Sequence, residues 1–384
     1  MKARKRTAKG VSTASEAGAA SPTSPYLLEI VRSDPLGRFL QKNRLSPVYF
    51  GLLVFLYGII RNLVLTAIYG NLFTIQRSGE TILGVLNDWP VLGIELVMVP
   101  VVAGYYLWQP ATMQALYDGI SEKIGPSPLA RARAMEYVRP VRWPGWAVVA
   151  ITVALLEAAY IQYIFLNTAT RMWENINTIM LASSFLIRFL AFYMLVFIIV
   201  RQIFTIVGLN RFFAEIPIKI APLHPDRAGG LRMLGDHVLS TGLIVAAVGL
   251  YFGMGILRKD INPHVITTEF YVLMLIYFLL APLFFILPLI QVHRRMKDAK
   301  RRLLLEVAEQ FDIEYRKLFD GLKQDQLESA HVQRVEAIQK IYKIAEYAPE
   351  WPFNLEILSK FGAAIVFPVL LPAIAELAGE LLFP

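Results

Sequence analysis

Four charged residues stand inside stretches that are otherwise apolar: Arg61, Glu95, Glu157 and Arg188. Insertion scales put one such charge at roughly 2.5–3.5 kcal/mol at mid-membrane. Two positive and two negative residues therefore predict pairing, because a paired charge avoids most of that cost. Read as function, the set is an ion or proton path, or a site for a charged substrate. Read as structure, it is an ion-pair network that fixes helix order.

A second group lies in the stretch 221–237, which reads APLHPDRAGGLRMLGDH. His224-Pro225-Asp226 predicts a turn, since proline fixes φ and aspartate bonds its own backbone. Gly229 and Gly230 permit close backbone approach before a helix opens at about Leu231. A helix start offers free N–H groups, and Arg227 and Arg232 stand beside it. Arg227, Gly229, Gly230 and Arg232 together suit an anion such as a phosphate or a lipid headgroup. His224, Asp226, Asp236 and His237 are oxygen and imidazole donors, which suit a divalent metal such as zinc, manganese or iron. Their spacing matches no strong metal motif. The plainer reading is a tight re-entry turn flanked by basic residues that obey the topology rule. No cofactor is named by these residues.

The string from Leu223 to Leu231 resembles a motif of uncharacterised bacterial polytopic membrane proteins. That likeness implies a bacterial setting and no function. The His-Pro-Asp triplet also occurs in J-domain co-chaperones, where it joins two soluble helices. Neither flank here is an amphipathic soluble helix, so that reading is rejected. Cysteine is absent from the 384 residues, which excludes disulfides, zinc thiolates and thiol nucleophiles. No Ser/His/Asp set, P-loop, zincin or Rossmann fingerprint is present.

The elements that must position these residues are long apolar runs. Hydrophobic residues make up 56% and charged residues 18% of the chain, and the charges are segregated. About 20 apolar residues cross a hydrocarbon core as a helix. Residues 238–257 and 270–290 do so without a charge. Residues 47–69, 90–108, 144–166 and 178–200 do so with one each. A seventh segment, 361–384, carries Glu376 and Glu380 and reads as a span or a re-entrant segment. The expected fold is an all-α polytopic transmembrane bundle of six or seven spans with a cytosolic helical hairpin.

Basic residues set the orientation. With the N-terminus inside, the outer loops hold only Arg77, Arg171, Arg258 and Lys259, four of the 38 lysines and arginines. This asymmetry accounts for the net charge of +8 without a nucleic-acid partner. Tyr105, Tyr106, Trp108, Trp143 and Trp146 fall at expected inner boundaries, where amphipathic rings settle. The expected location is a plasma membrane, the inner one in a bacterium, with a cytosolic N-terminus.

Residues 1–25 read as a disordered basic tail, 26–293 as the six-span domain, 294–347 as the hairpin and 348–384 as the seventh segment. Leu304, Ala308, Phe311, Tyr315, Leu318 and Leu322 follow steps of four and three, one stripe on a helix. Gly321 marks an expected break, after which Val335, Ile338, Tyr342 and Ala345 form a facing side. Gly242, Ala246, Gly249 and Gly253 make a small-residue face suited to close helix packing. Pro100, Pro282, Pro288, Pro368 and Pro372 fall within spans, where each can kink a helix. The final segment is the candidate pore-lining or mobile element.

Three functions compete. The first is an ion channel or transporter, expected as a homo-oligomer; its span count and long sixth helix resemble the layout of insect odorant-receptor channels. The second is a membrane-embedded enzyme acting on a lipid or lipid-linked substrate at the cytosolic face. The third is a membrane scaffold or sensor. Expected partners are the bilayer, a second copy, and ions or anionic headgroups.

Overall fold

A computed structural model describes residues 30–77, 80–124, 136–137, 139–167, 171–216, 220–226, 228–259, 261, 267–323, 329–353 and 355–382. The expected basic tail, Arg227 and the side chains of Glu376 and Glu380 lie outside what is described.

The chain is an all-α polytopic bundle with six helices long and apolar enough to cross a bilayer. A short helix α1 (Pro35–Lys42) precedes them. The long helices are α2 (Pro47–Ile68), α3 (Trp89–Ile120), α4 (Gly145–Leu166), α5 (Thr178–Glu215), α6 (Arg232–Arg258) and α7 (Thr268–Ile286). A 3-10 turn at Leu287–Leu289 joins α7 to α8 (Ile290–Lys323). Then come α9 (Ser329–Glu346) and α10 (Leu355–Leu382).

Local chemistry sets the starts. Ser46 accepts a bond from the Tyr49 N–H at 3.2 Å, and Pro47 follows at the first helical position. Asn177 accepts from Met180 N–H at 2.8 Å and opens α5. Between α2 and α3, strands β1 (Ile75–Arg77) and β2 (Glu80–Leu83) form an antiparallel hairpin, and β3 (Arg171–Met172) adds to β2 in parallel. This small sheet ties the α2–α3 connection to the α4–α5 connection. The two ends of the bundle are called below the sheet end and the hairpin end.

Two helices are interrupted. Residues Ile60–Leu65 of α2 and Ile94–Met98 of α3 form π-helical turns. In α3, Pro100 lacks the N–H that would bond to the Leu96 carbonyl, which favours a wider turn there. Pro288 sits in the 3-10 turn that separates α7 from α8.

Several elements differ from the sequence reading, each for a physical reason. Helix α5 spans 38 residues, about 57 Å at 1.5 Å per residue, and carries Arg201 and Gln202 inside the bundle. Helix α6 begins at Arg232, where a helix start at about Leu231 is expected, and carries Asp236 and His237 in its first turns. Tyr105 and Tyr106 are buried in the core because α3 runs well past Trp108. Gly321 does not break α8, which continues to Lys323. In the hairpin, Leu304, Val307, Phe311 and Leu318 are turned inward with Val335 and Ala345, whereas Ala308, Tyr315 and Leu322 are exposed. The expected stripe therefore divides between a paired side and an open side.

Helix α10 is unbroken and lies along α6, the most extensive helix pairing among the described residues. Gly235 of α6 faces Pro352 and Phe353, Gly242 faces Phe361, and Gly253 faces Pro368 and Val369. Contacts advance together along both segments, so the two helices run parallel. A Cβ at Gly253 would lie 2.0 Å from the Pro368 carbonyl oxygen, so only glycine permits this approach. The small-residue face thus receives α10.

Candidate functional site: buried ion pairs around an apolar slot

The four intramembrane charges resolve into three situations. Arg61 and Glu95 form a buried ion pair, each from a π-helical turn. Asn62 donates to the same carboxylate at 2.8 Å and accepts from Arg61 at 2.9 Å. Ser183 and Ser184 of α5 accept the remaining guanidinium donors, and the Trp173 ring lies 4.9 Å from the Arg61 guanidinium. Arg61 and Asn62, neighbours on the π-helical turn of α2, thus share one acceptor.

Arg188 does not meet Glu157. It binds Glu174, which lies just before α5, and donates to Gln162 of α4 at 3.0 Å. Glu157 is half-buried and has no hydrogen bond or ion pair among the described residues. Ile161 and Ile164 follow it at four and seven residues, on the same face of α4.

A third pair went unread in the sequence. Arg258 ends α6, where the orientation rule placed it in a loop. It is buried and grips Asp88 with two bonds, 2.8 Å from Nε and 2.5 Å from its terminal nitrogen. Trp173 donates to Asp88 at 3.3 Å, and Glu174 lies 4.0 Å from Arg258. The sheet end thus holds Arg61, Arg188 and Arg258 against Glu95, Glu174 and Asp88. The two signs balance. Oε1 of Glu174 is buried without a hydrogen-bond donor.

Another network sits nearer the hairpin end. Asp34 caps α1 by accepting from Gly37 N–H at 3.0 Å. The same carboxylate binds Arg201 at 2.5 Å, Tyr106 at 2.5 Å and Tyr193 at 2.7 Å. Arg201 also donates to the Tyr106 carbonyl at 3.0 Å. All four side chains are buried. Asp34 lies well before the first apolar run and Arg201 just past the fourth, so neither registered as intramembrane.

Between the networks runs a slot of about 370 Å³. Its walls are apolar side chains of α5, α6 and α7, with α3 and α4 closing one side. Glu95, Glu174, Arg188 and Arg258 line its sheet end. Gln202 and Thr241 line the opposite end, and both amide atoms of Gln202 are buried without a partner. No described residue of α10 lines it, so the cavity wall falls to α5, α6 and α7 instead of the final segment.

The 221–237 stretch is built as a turn. Asp226 accepts from the N–H groups of Ala228 and Gly230 at 2.9 and 3.0 Å. Burial pulls its carboxyl upward, but those two donors and His224 outweigh it and hold it below the usual carboxylate range. His224 Nδ1 lies 2.8 Å from that carboxylate. Gly229 and Gly230 take positive φ of 65° and 83°. Asp236 is 61% exposed and 3.9 Å from Arg232, itself 74% exposed. His237 turns the other way into the bundle, where neither ring nitrogen has a partner. Among the described residues, no three histidine or acidic side chains converge as metal ligands.

The chain matches no protein-family model, no curated protein and no solved structure.

Proposed function

We propose that the chain is a carrier-type transporter of a plasma membrane, with its N-terminus and hairpin on the cytosolic side and its sheet end outside. In a bacterium this is the inner membrane. The observation that carries the reading is the slot, which ends in interlocked acid–arginine pairs at one end and an unpartnered amide at the other. A continuous pore needs a wetted path lined by rings of polar or charged groups. A carrier instead needs a central site with closures that exchange partners. Three arginines and three acids within one cluster suit such exchange, because Arg258 lies between Asp88 and Glu174, and Glu174 between Arg188 and Arg258. The parallel register of α10 with α6 supports a seventh span. The open apolar side of the hairpin, with Tyr315, Phe319 and Leu322 exposed, supports a second copy as partner.

The test uses the natural lack of cysteine. Val248→Cys places one thiol in the slot wall. In oriented vesicles, an impermeant maleimide should reach it from one face at a time. Reaction from both faces at once would identify a pore. Reaction from neither face, with detergent restoring it, would remove the carrier reading.

A further inference from the structure

The slot's shape and its two polar ends limit what can fill it. On α5 it runs from Arg188 to Gln202, and on α6 from Thr241 to Arg258. At 1.5 Å per residue these are about 21 and about 25 Å. The hydrocarbon of one leaflet is about 15 Å deep, half of a roughly 30 Å core. A volume of about 370 Å³ drawn out over that length holds one hydrocarbon chain in width. A compact hydrophilic solute would leave most of these apolar walls without contact or water.

One long side of the slot faces the bilayer. Ile199 of α5 is 42% exposed and Leu273 of α7 is 44% exposed, and both line it. Helices α5 and α7 barely touch. The wall is therefore open between them to whatever surrounds the bundle, and around a six-span helical protein that is lipid.

The charged end specifies a head. Its arginines are matched by acids, so a bare anion finds no unpaired cation. Oε1 of Glu174 is the buried group left without a donor. A buried acceptor without a donor is destabilising, and a ligand donor would relieve that cost.

We infer that the slot takes a single-chain amphiphile, entering sideways between α5 and α7, whose hydrogen-bond-donating head (a hydroxyl or a carboxylic acid) meets Glu174. The inference rests on the carrier reading for its role but not for its binding. Gln202 and Thr241 close the apolar section and so cap the length of chain admitted.

The probes are hexadecanol bearing a diazirine in its chain and the methyl ether of the same compound, which lacks the donor. Photolabelled sites are mapped by mass spectrometry on the full-length protein in nanodiscs. Hexadecanol should label α5 and α7 at the mouth and α6 within. The ether should label these about tenfold less, the affinity change that goes with losing one hydrogen bond. Val248→Trp, which fills the slot, should cut hexadecanol labelling by about tenfold. Leu273→Trp does so at the exposed mouth, where folding tolerates the change. Leu279→Trp, 60% exposed and away from the slot, should leave labelling unchanged.

Equal labelling by alcohol and ether would overturn the assignment of the head. Labelling spread over Leu275 and Leu279 and unaffected by Leu273→Trp would mean annular lipid only and would overturn the site. If labelling fails while Val248→Cys still reacts from one face at a time, the carrier stands and its amphiphile falls. If labelling succeeds while that thiol never changes sides, the chain binds the amphiphile without carrying it.

Discussion

Two buried acid–arginine networks occupy opposite parts of the bundle, and they are built differently. The hairpin-end network has one arginine and one acid, with Tyr106 and Tyr193 sealing Asp34. The four polar partners of that carboxylate come from three elements: Gly37 of α1, Tyr106 of α3, and Tyr193 and Arg201 of α5. The sheet-end network has three of each sign, sits beside the slot and includes two π-helical turns. The same chemistry thus makes a clamp of one arginine and one acid, and a closure in which Arg258 and Glu174 each reach two counter-charges. Arg201→Ala should break the clamp outright. It strands Asp34 without a counter-charge, and removing one partner of a buried pair costs about 3–5 kcal/mol. Thermal unfolding in detergent measures this, and a loss no larger than that of a surface arginine would erase the distinction.

The closure should yield differently. Arg258→Gln leaves Asp88 with the Trp173 donor and Glu174 with Arg188. We expect a smaller stability loss, on the order of 2 kcal/mol. Its larger effect should be on access: Val248→Cys in that background should react from the sheet side several times faster. Unchanged reactivity would make the sheet end a clamp as well. Glu157 sharpens the contrast, because it belongs to neither network. Glu157→Gln should change stability by less than about 0.5 kcal/mol, as for sites without a partner. If its carboxyl carries a proton during transport, the same variant should flatten the pH dependence of uptake into vesicles.

Much of this architecture was legible in the chain. Apolar run length fixes spans almost by itself, since a helix in lipid must satisfy its own backbone. Gly242, Gly249 and Gly253 announced a close helix contact, and α10 supplies it. The networks were only half legible. Arg61 and Glu95 stood out because they interrupt apolar runs. Asp88, Glu174, Arg201 and Arg258 flank such runs and Asp34 precedes the first, and a charge outside a run reads as a loop charge. Only tertiary packing buries it. The most conspicuous string, 221–237, proved conspicuous for backbone reasons: Asp226 and two positive-φ glycines make a turn. Distinctive composition marks unusual backbone as readily as chemistry.

The smallest expected effect lies in the hairpin, where charge is local and partly solvated. Glu314 of α8 sits 2.8 Å from Lys317 and 3.1 Å from His331, with Arg334 of α9 at 3.8 Å. Hydrogen bonds from Lys317 and His331 hold its carboxyl below the usual carboxylate range. A carboxyl lowered on folding contributes stability above its unfolded value, about 4.3, and loses it as pH falls through the lowered folded value. Protonation then leaves Lys317 and Arg334 facing each other without a counter-charge. Hydrogen exchange across α8 and α9 should therefore speed up selectively as pH drops below about 4.3, after correction for intrinsic rates. The sheet-end amides should not follow. Glu314→Gln should remove the pH step and leave the hairpin at its acid-state protection throughout. A step that persists in that variant would assign it to another group and leave the contact between α8 and α9 to its apolar side chains alone.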